Sequence, residues 1–469
     1  MKEEHDNFYG NGDMKEAVGR YEDMLRKHKK FYFDVEEFEN IISFYIEQDK
    51  PDYAIKASEL ASNQHPASTS IKIKKAQLFI NRGNIREALS ILSQLEQIEP
   101  ANFEIHLLKG NILLHQEKLK PALELYNKAL KFVYEHREDV LYDIANILDQ
   151  HNHISNAEVF MRQAYELTPD SKEIILDLAY LNERLGKVKA SIKLYDKYLD
   201  IDPYSENAWF NIAYCYNRIE DYKKAIEAYD FLIAINPHFS SALFNKANSL
   251  ANMGLFKESI TSYHQFLLEE PEVAQAYYYI GECYEKIGDT KKAHDYFLRT
   301  ISMEPDFADA WYSIGILEMD NNENEKALTT LKKAISLDKT NPEYQFIMGK
   351  LQQKMGKMSL AIQFFKKTTI LDPYDTEAWC NLSFCHGLSG QIKKAILYLE
   401  EALELNPDAP DLHFHLSALW LKKDNSNLGL SHFKKALQID SSFYYDIFEF
   451  YPDLKNNYDL RILIGSISK

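Results

Sequence analysis

The stretch PYSENAWFNIAYCYNRIEDYKKAIEAYDFLIAINP, residues 203–237, opens and closes on a proline, and the two prolines lie 34 residues apart. Between them Trp209, Ile212, Ala213 and Tyr216 recur at helical spacing, followed by Ala225 and Tyr229. At about 100° per residue the first set forms one apolar stripe. Proline has no N–H and holds its predecessor in extended conformations, so Pro203 and Pro237 belong between helices. The stretch reads as helix–turn–helix.

The same spacing runs outward in both directions. Pro169, Pro203, Pro237, Pro271 and Pro305 are 34 residues apart, and Pro373 and Pro407 fall on later rungs. Lys339 occupies the rung without a proline. Upstream, Pro66 and Pro100 share the period, and the 69 residues from Pro100 to Pro169 require one inserted residue near 131–138. Trp209, Trp311 and Trp379 keep this register, as do Gly186, Gly254, Gly288, Gly356 and Gly390. Glycine there suits a left-handed cap ending the first helix of each pair. Ala225, Ala293, Ala327, Ala361 and Ala395 form a further column, which implies close helix–helix approach.

A second unit reads Tyr277, Ile280, Gly281, Tyr284, Gly288, Ala293, Phe297 and Pro305. The pattern resembles the tetratricopeptide repeat, W-x2-L-G-x2-Y…A-x3-F…P, at its period of 34. The resemblance implies an all-α fold: a right-handed superhelical solenoid of stacked antiparallel helix pairs. Twelve tandem units are expected over residues 35–443. Residues 1–34 are read as a degenerate half-repeat, with Ala17, Tyr21 and Met24 on its stripe. Residues 444–469 are read as capping helices over the terminal repeat, which otherwise exposes an apolar face. The long layout and the tail Phe448-Glu449-Phe450-Tyr451-Pro452-Asp453-Leu454 are also similar to uncharacterised repeat proteins of Bacteroidota, a likeness that assigns no activity.

With each proline rung numbered 32, positions 4, 7, 8 and 11 form the core stripe of the first helix. Positions 2, 5, 9 and 12 form another, roughly 130° away. The family resemblance implies that this second stripe lines a concave groove. Position 5 holds Tyr142, Leu176, Phe210, Phe244, Tyr278, Tyr312, Phe346, Cys380 and Phe414. Position 6 holds Asn211, Asn245 and Asn381, with Asp143 and Asp177 upstream; position 9 adds Tyr214, Asn248 and Glu282. Aromatic faces cover apolar groups, and amides both donate to and accept from a peptide backbone. The three asparagines resemble the backbone-binding ladder of the O-linked N-acetylglucosamine transferase repeats. Partner-binding residues are therefore expected among Tyr142, Phe210, Asn211, Tyr214, Phe244, Asn245, Asn248, Tyr278, Glu282, Tyr312, Phe346, Asn381 and Phe414. The competing reading packs the position-5 aromatics between neighbouring helices, and groove exposure is the expectation for the column as a whole.

Position 2 is acidic in six units: Asp139, Glu173, Asp309, Glu343, Glu377 and Asp411. The Lys/Arg/Asn clamp for EEVD-type chaperone tails is missing, and an acidic rim suits a neutral or basic partner. The net charge of −17 disfavours nucleic acid and anionic lipid. No run approaches the roughly 20 apolar residues of a membrane span, and the acidic start, Met1 to Asp6, lacks signal-peptide features. A cytoplasmic protein is expected.

Cys215, Cys283 and Cys385 share position 10, which points to packing. Cys380 and Cys385 diverge by about 140° on one helix, a poor chelating geometry. His151/His153 and His413/His415 lack the further ligands a zinc site wants and are expected to be solvated. No phosphate-loop, nucleophile-elbow or dinucleotide fingerprint is present, and the residues outside the array are too few for a catalytic domain. The reading is a non-enzymatic interaction scaffold without cofactor or metal. Its alternative is a self-assembling structural protein whose apolar tail, Tyr444 to Tyr451, joins two chains into a homo-oligomer.

Overall fold

The computed structural model describes residues 10–27, 30–445 and 447–465, and among these every regular element is a helix. The chain divides into two compact units, Met1–Ile235 and Asn236–Lys469. The first opens with α1 (Gly10–Lys27), then α2 (Val35–Glu47) with α3 (Pro51–Gln64) and α4 (Thr69–Asn81) with α5 (Ile85–Ile98). It continues with α6 (Phe103–His115) and α7 (Leu119–Leu130), α8 (Arg137–Gln150) and α9 (Ile154–Leu167), α10 (Lys172–Arg184) and α11 (Val188–Ile201), α12 (Glu206–Arg218) and α13 (Tyr222–Ile235). The second unit begins with α14 (Ser240–Asn252) and α15 (Phe256–Glu269), α16 (Ala274–Ile287) and α17 (Thr290–Met303), α18 (Ala308–Asp320) and α19 (Asn324–Leu337). Then come α20 (Pro342–Lys354) and α21 (Met358–Leu371), α22 (Thr376–Leu388) and α23 (Ile392–Leu405), α24 (Pro410–Lys422) and α25 (Ser426–Ile439). Two short helices, α26 (Ile447–Phe450) and α27 (Tyr458–Gly465), follow.

The pairs share recurring local chemistry. In several, an oxygen-bearing side chain two residues after the rung caps the first helix: Ser171 accepts from the Ile174 N–H, Ser205 from Ala208 and Asp375 from Ala378. Phe239, Val273, Phe307 and Ala409 stand at that point without a side-chain cap. The turn after the first helix uses one left-handed residue. Gly186, Gly254, Gly288, Gly356 and Gly390 take φ of 73–88° there, and Glu220, Asn322 and Asp424 take 59–62° at equivalent points. The inserted residue is absorbed between Leu130 and Arg137, where α7 stops short and His136 turns left-handed at φ 52°.

The rung and the tryptophan column are one structural device. The indole Nε1 of Trp209 donates to the carbonyl of Pro203 at 2.8 Å; Trp311 reaches Pro305 and Trp379 reaches Pro373, both at 2.9 Å. The Tyr277 hydroxyl donates to Pro271, and the His106 ring bonds Pro100. The carbonyl at the inter-repeat turn is thereby satisfied by a side chain six residues on.

The alanine column, fully buried, marks where paired helices touch. Where serine replaces it, Ser191 and Ser259 donate across the contact to the carbonyls of Ala179 and Ala247, at 2.6 and 2.8 Å. Cys215 and Cys283 lie buried against these serines, and all four thiols are unpaired.

At the C-terminal end Ile447, Tyr451, Leu454 and Leu460 are buried in one cluster with α22, α24 and α25. His413 and His415, expected to be solvated, are buried instead. The His415 ring packs on Phe450 (4.7 Å) and Tyr451 (5.5 Å), and His413 Nδ1 lies 3.0 Å from His432 Nδ1. Two histidines at i and i+2 diverge on a helix, and here both directions are covered.

Candidate functional site

The position-5 aromatics follow a packing rule the stripe arithmetic did not show. Five of the seven lean on the ring 19 residues later in the second helix of their own pair; Tyr142 and Tyr312 face Met161 and Leu331 at that spacing. The centroid distances are 6.1 Å for Phe210–Tyr229, 5.7 Å for Phe244–Tyr263 and 5.5 Å for Tyr278–Phe297. Phe346–Phe365 and Phe414–Phe433 lie at 5.6 and 5.2 Å. Such edge and tilted contacts are favourable aromatic geometry. These aromatics are half-buried through most repeats and buried at Phe346 and Phe414, which are 9% and 2% exposed. The expectation of groove exposure fails at these two residues. It fails also at Asn381, which is buried with its amide donating to the Glu377 carbonyl of its own helix at 2.9 Å.

In the first unit Tyr142 is half-buried and donates to Asp177 of the next first helix at 2.6 Å. Burial pushes the Asp177 carboxyl up, and the tyrosine bond partly offsets this. Phe210 and Asn211 are half-buried, while Tyr214 is 43% exposed and presents its ring to solvent. In the second unit Asn245 donates back to Ser241 at 2.8 Å. Tyr312 stacks on Tyr344 at 4.8 Å, joining successive first helices. The Tyr344 hydroxyl also bonds Asp309, and Lys350 pairs with Glu377 at 2.7 Å. Two of the acidic position-2 residues thus tie neighbouring repeats together.

One set of predicted residues does converge on open space. Between α14 and α16 lies a cavity of about 500 Å³ lined by Asn248, Asn252, Tyr263, Tyr279, Glu282 and Lys286, among others. The Tyr263 hydroxyl donates to Asn248 Oδ1, which orients the amide. Tyr263 and Tyr279 stack at 5.9 Å with their planes 27° apart, and Phe244 closes the cluster 5.9 Å from Tyr279. The Glu282 carboxylate accepts from Tyr278 at 3.0 Å. Burial raises its pKa, the Tyr278 bond opposes that, and Glu285 and Asp309 raise it further. A carboxylate beside stacked tyrosines and two amides can receive an amide or a cation. Sequence reasoning singled out Asn248 and Glu282 but missed Tyr263 and Tyr279. The run Tyr277-Tyr278-Tyr279 was the available signal.

No thiol is poised for chemistry: burial pushes Cys215 up to about 11 and Cys385 to about 12. Among the described residues one group, His136, Glu138 and Asp139, brings three potential metal donors within 4.8 Å. It belongs to a single surface turn, and a structural zinc site wants four ligands. Among the described residues no helix is long and apolar enough to cross a membrane.

Sequence profiles described as tetratricopeptide repeat match residues 73–133, 142–206 and 244–300, and others match 194–227 and 376–409. A profile described as TPR repeat matches 317–356, and together the matches span more than half of the chain. No curated protein sequence matches. Among solved structures, a tetratricopeptide repeat protein from Parabacteroides merdae is 16% identical at a TM-score of 0.43, covering 53% of this chain and 98% of that one. The Cut9–Hcn1 hetero-tetramer of the APC/C is 14% identical at 0.39, covering 94% and 93%. YrrB, described as a TPR protein with an unusual peptide-binding site, is 19% identical at 0.34, covering 38% and 93%. Similarity this low carries no ligand across.

Proposed function

This chain belongs to the tetratricopeptide repeat family, and we propose that it is a non-catalytic interaction scaffold which holds an extended polypeptide segment against its first helices. The cavity between α14 and α16 supports this reading most directly. Its amides match a peptide backbone, its stacked tyrosines match an apolar or cationic side chain, and Glu282 favours a neutral or basic segment over an acidic one. The position-5 aromatics give the face its rigidity, which reduces the ordering cost of binding. The acidic balance of the chain disfavours nucleic acid. A cytoplasmic setting fits the four unpaired thiols.

The test is a random-peptide display selection on the full chain, followed by titration of the enriched peptides. Wild type is expected to enrich sequences rich in Lys, Arg and neutral polar residues. Their affinity falls about tenfold or more in Asn248→Ala/Tyr279→Ala and in Glu282→Lys, while helicity is unchanged. Enriched peptides that bind these variants as tightly as wild type would place recognition elsewhere.

A further inference from the structure

The rung that breaks the proline ladder lies beside a cleft in the second-helix face. In five other repeats a ring at position 4, from His106, Trp209, Tyr277, Trp311 or Trp379, bonds the rung carbonyl, while Ile175 and Leu243 stand there in two more. In the repeat of α20 and α21 the rung is Lys339 and position 4 is Gln345. Gln345 Nε2 reaches the Lys339 carbonyl only at 3.5 Å. The side chain is 2% exposed, yet its Oε1 has no hydrogen-bond partner. An unmatched buried acceptor is costly and calls for a donor.

The equivalent cleft between α15 and α17, where Tyr277 stands at position 4, holds about 330 Å³; with Gln345 in that place the space is larger. Trp209 stacks on Phe231 at 4.8 Å in its own repeat, whereas the equivalent pair here is Gln345 and Lys367. A cleft of about 460 Å³ lies between α19 and α21, lined by Ile335, Ile370 and Leu371 and by Lys332, Lys339 and Lys367, with Gln345 also against it. None of the three lysines forms an ion pair among the described residues. Asp338, beside Lys339 in sequence, is bound to the backbone N–H and hydroxyl of Thr340 at 2.8 and 2.7 Å. The cleft is thus lined by three lysines on a chain of net charge −17.

We propose that this cleft docks an acidic protein segment. An aliphatic side chain covers Ile335, Ile370 and Leu371, flanking carboxylates pair with Lys332, Lys339 and Lys367, and a backbone N–H of the segment donates to Gln345 Oε1. The apolar lining selects a polypeptide over a polyphosphate chain, and the unpaired ammonium groups select a negative one. The site is independent of the α14–α16 cavity and opposite to it in charge preference, so one scaffold holds two unlike partners.

The experiment repeats the display selection on the full chain and compares two variants, Gln345→Trp and Lys332→Glu/Lys339→Glu/Lys367→Glu. Tryptophan at 345 supplies the ring seen at Trp209, Trp311 and Trp379 and fills the cleft; it lies against Lys367, as Tyr277 lies under Arg299, but keeps all three charges. If it lowers the melting temperature, Ile370→Asp at a 67% exposed position replaces it. Wild type is expected to enrich peptides with Asp or Glu flanking Leu, Ile or Val. A synthetic peptide of that consensus loses about tenfold or more in affinity in each variant, weakens with added salt, and binds Asn248→Ala/Tyr279→Ala as well as wild type. The proposal is overturned if no acidic–aliphatic consensus emerges. It is also overturned if the peptide binds the tryptophan or aspartate variant undiminished, which would mark a diffuse attraction to lysines.

Discussion

Gly281→Ala and Gly387→Ala make the same chemical change inside two first helices and should move stability in opposite directions. Alanine is favoured over glycine in a helix interior by about 1 kcal/mol. At Gly387 an added methyl meets only Leu419 Cδ2, at 3.4 Å, an ordinary contact, so the gain should survive as a stabilisation of about 0.5–1 kcal/mol. At Gly281 it would lie 2.5 Å from Cε1 and 2.7 Å from Cδ1 of Phe297, roughly 1 Å inside normal carbon–carbon contact. Phe297 is fully buried and held by Tyr278, so its ring cannot swing away freely. Overpacking of this kind costs about 1–3 kcal/mol, leaving a net loss of up to about 2 kcal/mol after the propensity gain of about 1 kcal/mol. Repeat arrays do not always unfold in one step, so hydrogen exchange is the better assay. Amides of α16 and α17 should exchange faster in Gly281→Ala, by about tenfold for each 1.4 kcal/mol. Amides of α22 should slow in Gly387→Ala. Equal stabilisation by both substitutions would refute the claim that position 8 is kept small by the ring it faces.

Glu220→Gly should raise the urea midpoint by relieving a left-handed residue at φ 61°, a gain of about 0.5–1 kcal/mol; an unchanged midpoint would show no strain there. Burial pulls the His415 pKa down to about 3, below its unfolded value near 6.5. The unfolded chain therefore binds the proton first, and stability at the C-terminal end is full above pH 6.5 and falls towards pH 3. The loss at pH 5 from this group is roughly 2 kcal/mol, and a pH series of exchange rates in α24 checks it: the slope should shrink in His415→Phe without vanishing, because burial also lowers His413 to about 4. A thiol reagent should leave all four cysteines of the native protein unmodified and titrate all four in denaturant; fast native reaction at Cys215 or Cys283 would contradict their burial against serine.

The repeat was legible because its signals are backbone necessities recurring at a fixed period. Proline rungs, left-handed glycines and the buried alanine column each answer to one local constraint, and the structure places each where that constraint acts. The bond from Trp209, Trp311 and Trp379 to the rung six residues earlier was also within reach, since both partners repeat together. Phe346 and Phe414 were misjudged for a definite reason. A helical wheel gives an angle on one helix but not the direction from which the second helix arrives, and that helix covers Phe346 and Phe414. The cavity was only half visible, because the Tyr263–Tyr279 stack joins side chains of different repeats. His415 was misread because the C-terminal segment, folded back over α24, covers it, and His413 because it meets His432 of α25.

The central claim is that a polypeptide segment binds between α14 and α16. The most direct measurement is photo-crosslinking of a selected basic peptide carrying a photoreactive group, with the attachment sites mapped by mass spectrometry on the full chain. Attachment at Asn248, Tyr279 or Glu282, suppressed by unlabelled peptide, is the predicted result. Competed attachment confined to the second helices, or to the first unit, would contradict it.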